Sequence, residues 1–146
     1  MSAAVTPAAH PDPPPVVAPP ARLLVGLAHD LAAAASRWEP LLRFDAERRF
    51  TTRLPGPEGV EVWLATWLPG QRSDLHDHGR TAAALTVVRG VLVEHRTAAG
   101  QDLPPMELGP GAVAVLEPGV LHRVAHAGTV PAVSIHVRTT ARAPLP

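Results

Sequence analysis

Hydrophobic positions along the chain fall into two regimes. Over residues 22–37, "RLLVGLAHDLAAAASR", Leu23, Leu24, Leu27, Leu31 and Ala34 recur at the spacing of one helix face. Gly26 weakens this helix, and Pro40 bars its continuation because proline lacks the amide donor and collides with the preceding turn. The pattern also allows a short second helix around residues 40–48. From residue 50 the texture changes. Short runs rich in Val, Leu, Trp and Thr are cut by turns such as "LPGPEG", "LPGQRSD", "GPG" and "EPG". They predict strands near 50–54, 60–68, 73–78, 82–88, 91–96, 113–116, 121–126 and 132–138. Many short strands without an intervening helical period point to an all-β fold, an antiparallel sandwich or small barrel behind an N-terminal helical segment.

Ahead of the helix, residues 1–21, "MSAAVTPAAHPDPPPVVAPPA", are rich in Pro and Ala and predict a disordered or polyproline-like tail that includes His10. The remaining 22–146 is of single-domain length. Thirteen basic residues, all arginine, balance thirteen acidic ones, so the chain lacks the basic excess expected of a nucleic-acid binder. There is no cysteine, which rules out disulfides, thiolate metal ligands and a cysteine nucleophile. No apolar run approaches the roughly 20 residues of a membrane span, and no basic stretch precedes an apolar one at the N-terminus. A cytoplasmic protein with no membrane partner is the expectation.

The chemistry concentrates in the histidines. "SDLHDHG" puts His76 and His78 two residues apart on the predicted strand 73–78, where i and i+2 share a face and Asp77 points away. Two imidazoles can fill adjacent corners of a metal's coordination sphere, and a partly exposed pair of sheet residues has the same spacing. His122, just after the "EPG" turn, is the candidate third ligand. Ser134, His136 and Arg138 share one face of "SIHVR", with Val133, Ile135 and Val137 on the other. Trp63, Ala65 and Trp67 likewise share a face. His126 shares parity with His122 but reads as a strand-end surface residue, and His95 reads as exposed.

Gly70, five residues, His76-x-His78, four residues, Ala83, six residues and Gly90 resemble the first motif of the cupin superfamily. Gly111, five residues, Glu117-Pro118-Gly119, two residues and His122 resemble the second. Together with "WLPGQRSDLHDHG", "RGVLVEHR" and "LHRVAHAGTVPAVSIHVR", they make residues 38–138 similar to the thiol dioxygenase branch, the cysteine dioxygenase family.

That resemblance implies a double-stranded β-helix barrel with one Fe(II) held by His76, His78 and His122. Ala83 stands where other cupins place a carboxylate ligand. Three neutral imidazoles leave the iron's charge uncompensated, which favours an anionic thiolate, and the implied product is a sulfinic acid made with O2. The resemblance further assigns Arg53, in "FTTRLP", to a substrate carboxylate, which its planar fork suits. It makes Ser134 and His136 a relay beside the iron, with Arg138 in place of the family's tyrosine. With neither tyrosine nor cysteine in the chain, the family's Cys–Tyr crosslink cannot form. Arg138 offers a second cation, so 3-mercaptopropionate and mercaptosuccinate stand beside cysteine as substrates. A metal-binding cupin that senses or holds a ligand without turnover, and a cupin using nickel or manganese, are the alternatives.

Overall fold

The computed structural model of the chain describes residues 21–79 and 81–140. The tail expected at 1–21, His10 included, lies outside the described residues apart from Ala21, which opens the helix. Helix α1 runs Ala21–Ala33 and is followed by single 3-10 turns at Ala35–Arg37 and Glu39–Leu41. It is shorter than the periodicity suggested. The indole of Trp38 donates to the carbonyls of Leu31 at 3.1 Å and Ala32 at 3.3 Å, closing the helix end. The second helix expected at 40–48 is confined to the turn at Glu39–Leu41. Beyond it the Asp45 carboxylate accepts from the amide of Glu47 at 2.8 Å, an Asx turn that competes with helix.

Nine strands follow among the described residues: β1 (Phe50–Leu54), β2 (Val60–Trp67), β3 (Ala83–Arg89), β4 (Leu92–Ala98), β5 (Gln101–Asp102), β6 (Met106–Leu108), β7 (Val113–Leu116), β8 (Leu121–His126) and β9 (Ala132–Thr139). They form two antiparallel sheets. One has the order β1-β2-β9-β3-β7, and in the other β4 pairs with β5, β6 and β8. Among the described residues no helix is long and apolar enough to cross a membrane.

Alternation along the five-stranded sheet divides the core in two. Val62, Leu64, Ala84, Val133, Ile135 and Val137 pack against Leu24, Ala28 and Leu31 of α1 and against Trp38. Ala65, Trp67, Leu85 and Val87 turn the other way and meet Leu92, Leu108 and Val124 of the second sheet. Ser134, His136 and Arg138 share parity with this inner set. The helix thus seals one face of the sheet, and the opposite face is free to carry polar groups into the barrel.

Residues 73–78 are not a strand. They form an irregular segment laid against β8 by isolated bridges, Arg72 opposite Ala125 and His76 opposite His122. Gln71 O accepts from the amide of His126 at 2.8 Å, and the amide of Ser73 donates to Val124 O at 2.8 Å. These pairs run in simple antiparallel register. At His76 the register has slipped by one residue, as a bulge does, so Ser73 and His76 line the same cavity despite opposite strand parity.

Gly90, in the β3–β4 turn, has φ +73°, and a Cβ there would lie 2.8 Å from the Ala132 Cα and 2.9 Å from the Pro131 carbonyl. Backbone handedness and close approach both demand glycine. Gly90→Ala is expected to destabilise the fold by about 3 kcal/mol, combining left-handed strain with overpacking, as measured by denaturant unfolding.

Candidate metal centre

The centre is built where the 71–79 segment meets β8. His76 and His122 exchange both backbone bonds, at 3.0 and 2.8 Å, so their side chains leave on one side. Further along, Gly119 donates to Gly79 O at 3.1 Å, and the Asp77 carboxylate accepts from the Gly79 amide at 3.0 Å, which turns the chain after His78. Nε2 of His122 then lies 3.0 Å from Nε2 of His76 and 3.2 Å from Nε2 of His78. Candidate ligand atoms of the three rings all lie within 4.8 Å of one another. His122 is buried, and the other two are half-buried.

Two of these rings are oriented from behind. Nδ1 of His76 lies 2.7 Å from the Asp74 carbonyl, which can only accept, so that nitrogen carries the proton and Nε2 presents a lone pair. Nδ1 of His122 faces a carboxylate oxygen of Glu94 at 3.1 Å, with the same consequence. Lone pairs aimed at each other across 3.0 Å repel unless a cation lies between them. Metal–imidazole bonds of about 2.1 Å meeting at right angles would hold their nitrogens about 3.0 Å apart, which matches the spacing of His122 from both His76 and His78, so the donor set suits a first-row divalent ion. Burial, the neighbouring rings of His122 and His76 and the Arg138 guanidinium push His78 down to about 4, leaving it neutral and able to ligate at neutral pH.

The imidazoles lie on the wall of a cavity of about 330 Å³, within the range of small-molecule sites. Ala83, Leu85 and Leu116 give it apolar walls, and Arg49, Thr51, Trp63, His136 and Arg138 complete the far side. No carboxylate lines it among the described residues. Ser134 is fully buried; its Oγ accepts from the Trp67 indole at 2.9 Å and lies 2.7 Å from Nε2 of His136. Burial, then the charge of Arg49, holds His136 down at about 3, so it too is neutral. Arg138 donates through Nε to Glu61 Oε2 at 2.6 Å and through Nη2 to the same oxygen.

Arg53, expected to hold a carboxylate, does not line this cavity. It shares a face with Arg49 and Thr51 but lies further along β1, its guanidinium 5.6 Å from the Trp63 ring centroid and 3.7 Å from Glu61. Besides Arg138, the guanidinium that does line the cavity is that of Arg49, stacked 4.5 Å from the Trp67 ring centroid. Its position one residue before β1, two alternations from Arg53, is the signal that could have named it. His126 is buried rather than surface-exposed: it ties off the turn after β8, with Nε2 2.5 Å from the Val130 carbonyl and Nδ1 accepting from the Gly128 amide at 3.1 Å.

The sequence matches the family model of cysteine dioxygenase type I over residues 21–141. The chain belongs to that family. No curated protein matches it significantly. Among solved structures, TT1209 from Thermus thermophilus is similar at 23% identity with a TM-score of 0.61, over 69% of this chain and 91% of that one. A Klebsiella pneumoniae protein with a double-stranded β-helix domain follows at 20% identity and 0.60, over 69% and 84%. A cupin superfamily protein from Desulfitobacterium hafniense matches at 14% and 0.58, over 72% and 89%. These likenesses establish the cupin fold. Family membership supports a dioxygenase-like enzyme, and the three-histidine group supports metal binding.

The depressed His136 has a measurable cost in acid. An unfolded imidazole titrates near 6.5 and the folded one near 3, so between those values unfolding takes up a proton and stability falls as the pH is lowered. Between pH 7.5 and 5 the metal-free protein is expected to lose about 1–2 kcal/mol through this group. Urea unfolding at both pH values should show His136→Gln losing correspondingly less.

Proposed function

We propose that the protein is an iron(II)-dependent dioxygenase that oxidises a small thiol carboxylate, with cysteine the first candidate, to its sulfinic acid. The observation that carries this reading is the convergence of His76, His78 and His122 on the wall of a cavity whose other ionisable groups are arginines and a neutral histidine. In the reaction R–SH + O2 → R–SO2− + H+, both oxygen atoms end on sulfur, which is oxidised as O2 is reduced, and no further reductant is needed. Iron held by the three imidazoles would supply the redox chemistry that this combination requires.

The chain's own residues bind and orient. Arg49 takes the substrate carboxylate in place of Arg53, its planar fork matching the two oxygens. Arg138, anchored by Glu61 through Nε and Nη2, keeps its remaining donors for a second anionic group and so leaves 3-mercaptopropionate and mercaptosuccinate in contention. With the Ser134 hydroxyl accepting from Trp67, its own proton is available to Nε2 of neutral His136, and the pair orients substrate or oxygen. Leu85, Leu116 and Trp63 exclude water from the sulfur. The partners are thus a small thiol and O2, in a cytoplasmic setting consistent with a cysteine-free chain, with neither nucleic acid nor membrane involved. A second reading, a metal-binding cupin that holds a ligand without turnover, is favoured by one feature, Arg138 in place of the family's tyrosine.

Iron-loaded protein given cysteine, 3-mercaptopropionate and mercaptosuccinate is expected to consume O2 with at least one, and mass spectrometry should find a product heavier by two oxygen atoms. Binding without uptake for every thiol would favour the ligand-holding reading. With the active thiol, Arg49→Met should raise KM roughly 10–100-fold, the worth of a lost charged hydrogen bond, and Arg53→Met should leave it near wild type. The reverse pattern would return the carboxylate to Arg53.

A further inference from the structure

Glu94 is the one buried acidic side chain among the described residues, with no solvent exposure. It sits on β4, two residues from the position opposite His122, since Arg96 pairs with His122 and Glu94 with Val124. This diagonal placement lets one carboxylate oxygen meet Nδ1 of His122 at 3.1 Å. The other accepts from Nε of Arg96 at 2.6 Å, and Arg96 is itself fixed by donating through Nη2 to the Val115 carbonyl at 2.7 Å. No acid reaches the centre directly: among the described residues no carboxylate lines the cavity, and Ala83 on its wall is too short and apolar to ligate.

We propose that Glu94 is the carboxylate of this metal centre, set one residue back from the ion and acting through His122. It is a positioning residue. By accepting the Nδ1 proton it fixes the ring's tautomer and rotation so that Nε2 points its lone pair at the ion, and it lends negative charge to a site of three neutral ligands. Arg96 clamps the carboxylate from the far side, so that it cannot swing into the cavity and compete for the ion. The inference rests on the three-histidine reading of the metal centre.

Glutamine is the informative replacement. Its oxygen will go to the guanidinium of Arg96, which can only donate, and its NH2 group then faces Nδ1 of His122. The ring is driven to carry its proton on Nε2, the atom the metal needs. Because Glu94→Gln leaves Arg96 without its counter-charge, the double variant Glu94→Leu/Arg96→Met, neutral at both positions and offering Nδ1 of His122 no acceptor, is measured beside it.

Cobalt(II) affinity, from chelator competition, is expected to fall roughly 10–100-fold in both variants. In the metal-free proteins, 15N shifts of the His122 ring should change from the Nδ1–H form in wild type toward the Nε2–H form, a response that a purely structural role for Glu94 would not produce. Wild-type affinity in the folded double variant, or an unchanged tautomer, would overturn the proposal while leaving the metal centre intact, provided His122→Ala abolishes binding. Failure of the unmodified protein to bind cobalt or iron would overturn the metal centre and this inference together.

Discussion

The paired backbone bonds between His76 and His122 hold the account together. They join an irregular segment to a strand more than forty residues away, and a hydrogen-bonded antiparallel pair leaves its two side chains no choice but to emerge together. Neighbouring bonds from Gln71, Ser73 and Gly79 to the β8 region keep the segment in place although it belongs to neither sheet. The ring orientations follow from two acceptors behind them, the Asp74 carbonyl and the Glu94 carboxylate. A metal site is thereby built from backbone pairing first and side-chain chemistry second.

The five-stranded sheet supplies the other half of the site. Its outer face is apolar and sealed by α1, which removes any need for hydrophobic residues on all of its inner face. That freedom is spent on Ser134, His136 and Arg138 of β9 and on the cavity-lining Trp63 and Ala65 of β2. Charge is distributed unevenly across the resulting space. Arginines reach the cavity, Glu61 is engaged by Arg138 at its edge, and burial keeps His78 and His136 neutral. An anionic ligand meets cations and neutral rings there, and no acid of the described residues lines the cavity.

Much of this was legible in the sequence, though unevenly. The strands from Phe50 onward and most of the apolar helix face follow from periodicity, because each element buries one face against a single partner layer, although Leu23 is exposed and Ala28 is buried in the core. The cupin motifs brought His76, His78 and His122 together, whereas the strand parity invoked for the first two rested on a strand that does not exist. Its register slip answers to hydrogen bonds with β8, which no local pattern encodes. Glu94 escaped notice because an acid on an alternating strand reads as solvent-facing, and only the β4–β8 register reveals its histidine. Arg49 escaped because it precedes its strand, while Arg53 sits in a more conspicuous motif and ends over Trp63. The two-residue β5 and three-residue β6 are too short to show a period.

The claim on which the rest depends is that one ion is held by three imidazoles drawn from these two segments. X-ray absorption at the iron edge of protein loaded with Fe(II) without oxygen tests it most directly, read together with the iron content of the same sample. The account predicts one iron per chain with three imidazole nitrogens, falling to two or to no bound iron when His122 is replaced by alanine. Iron that is absent from the loaded protein, or whose coordination is unaltered by that replacement, would contradict it.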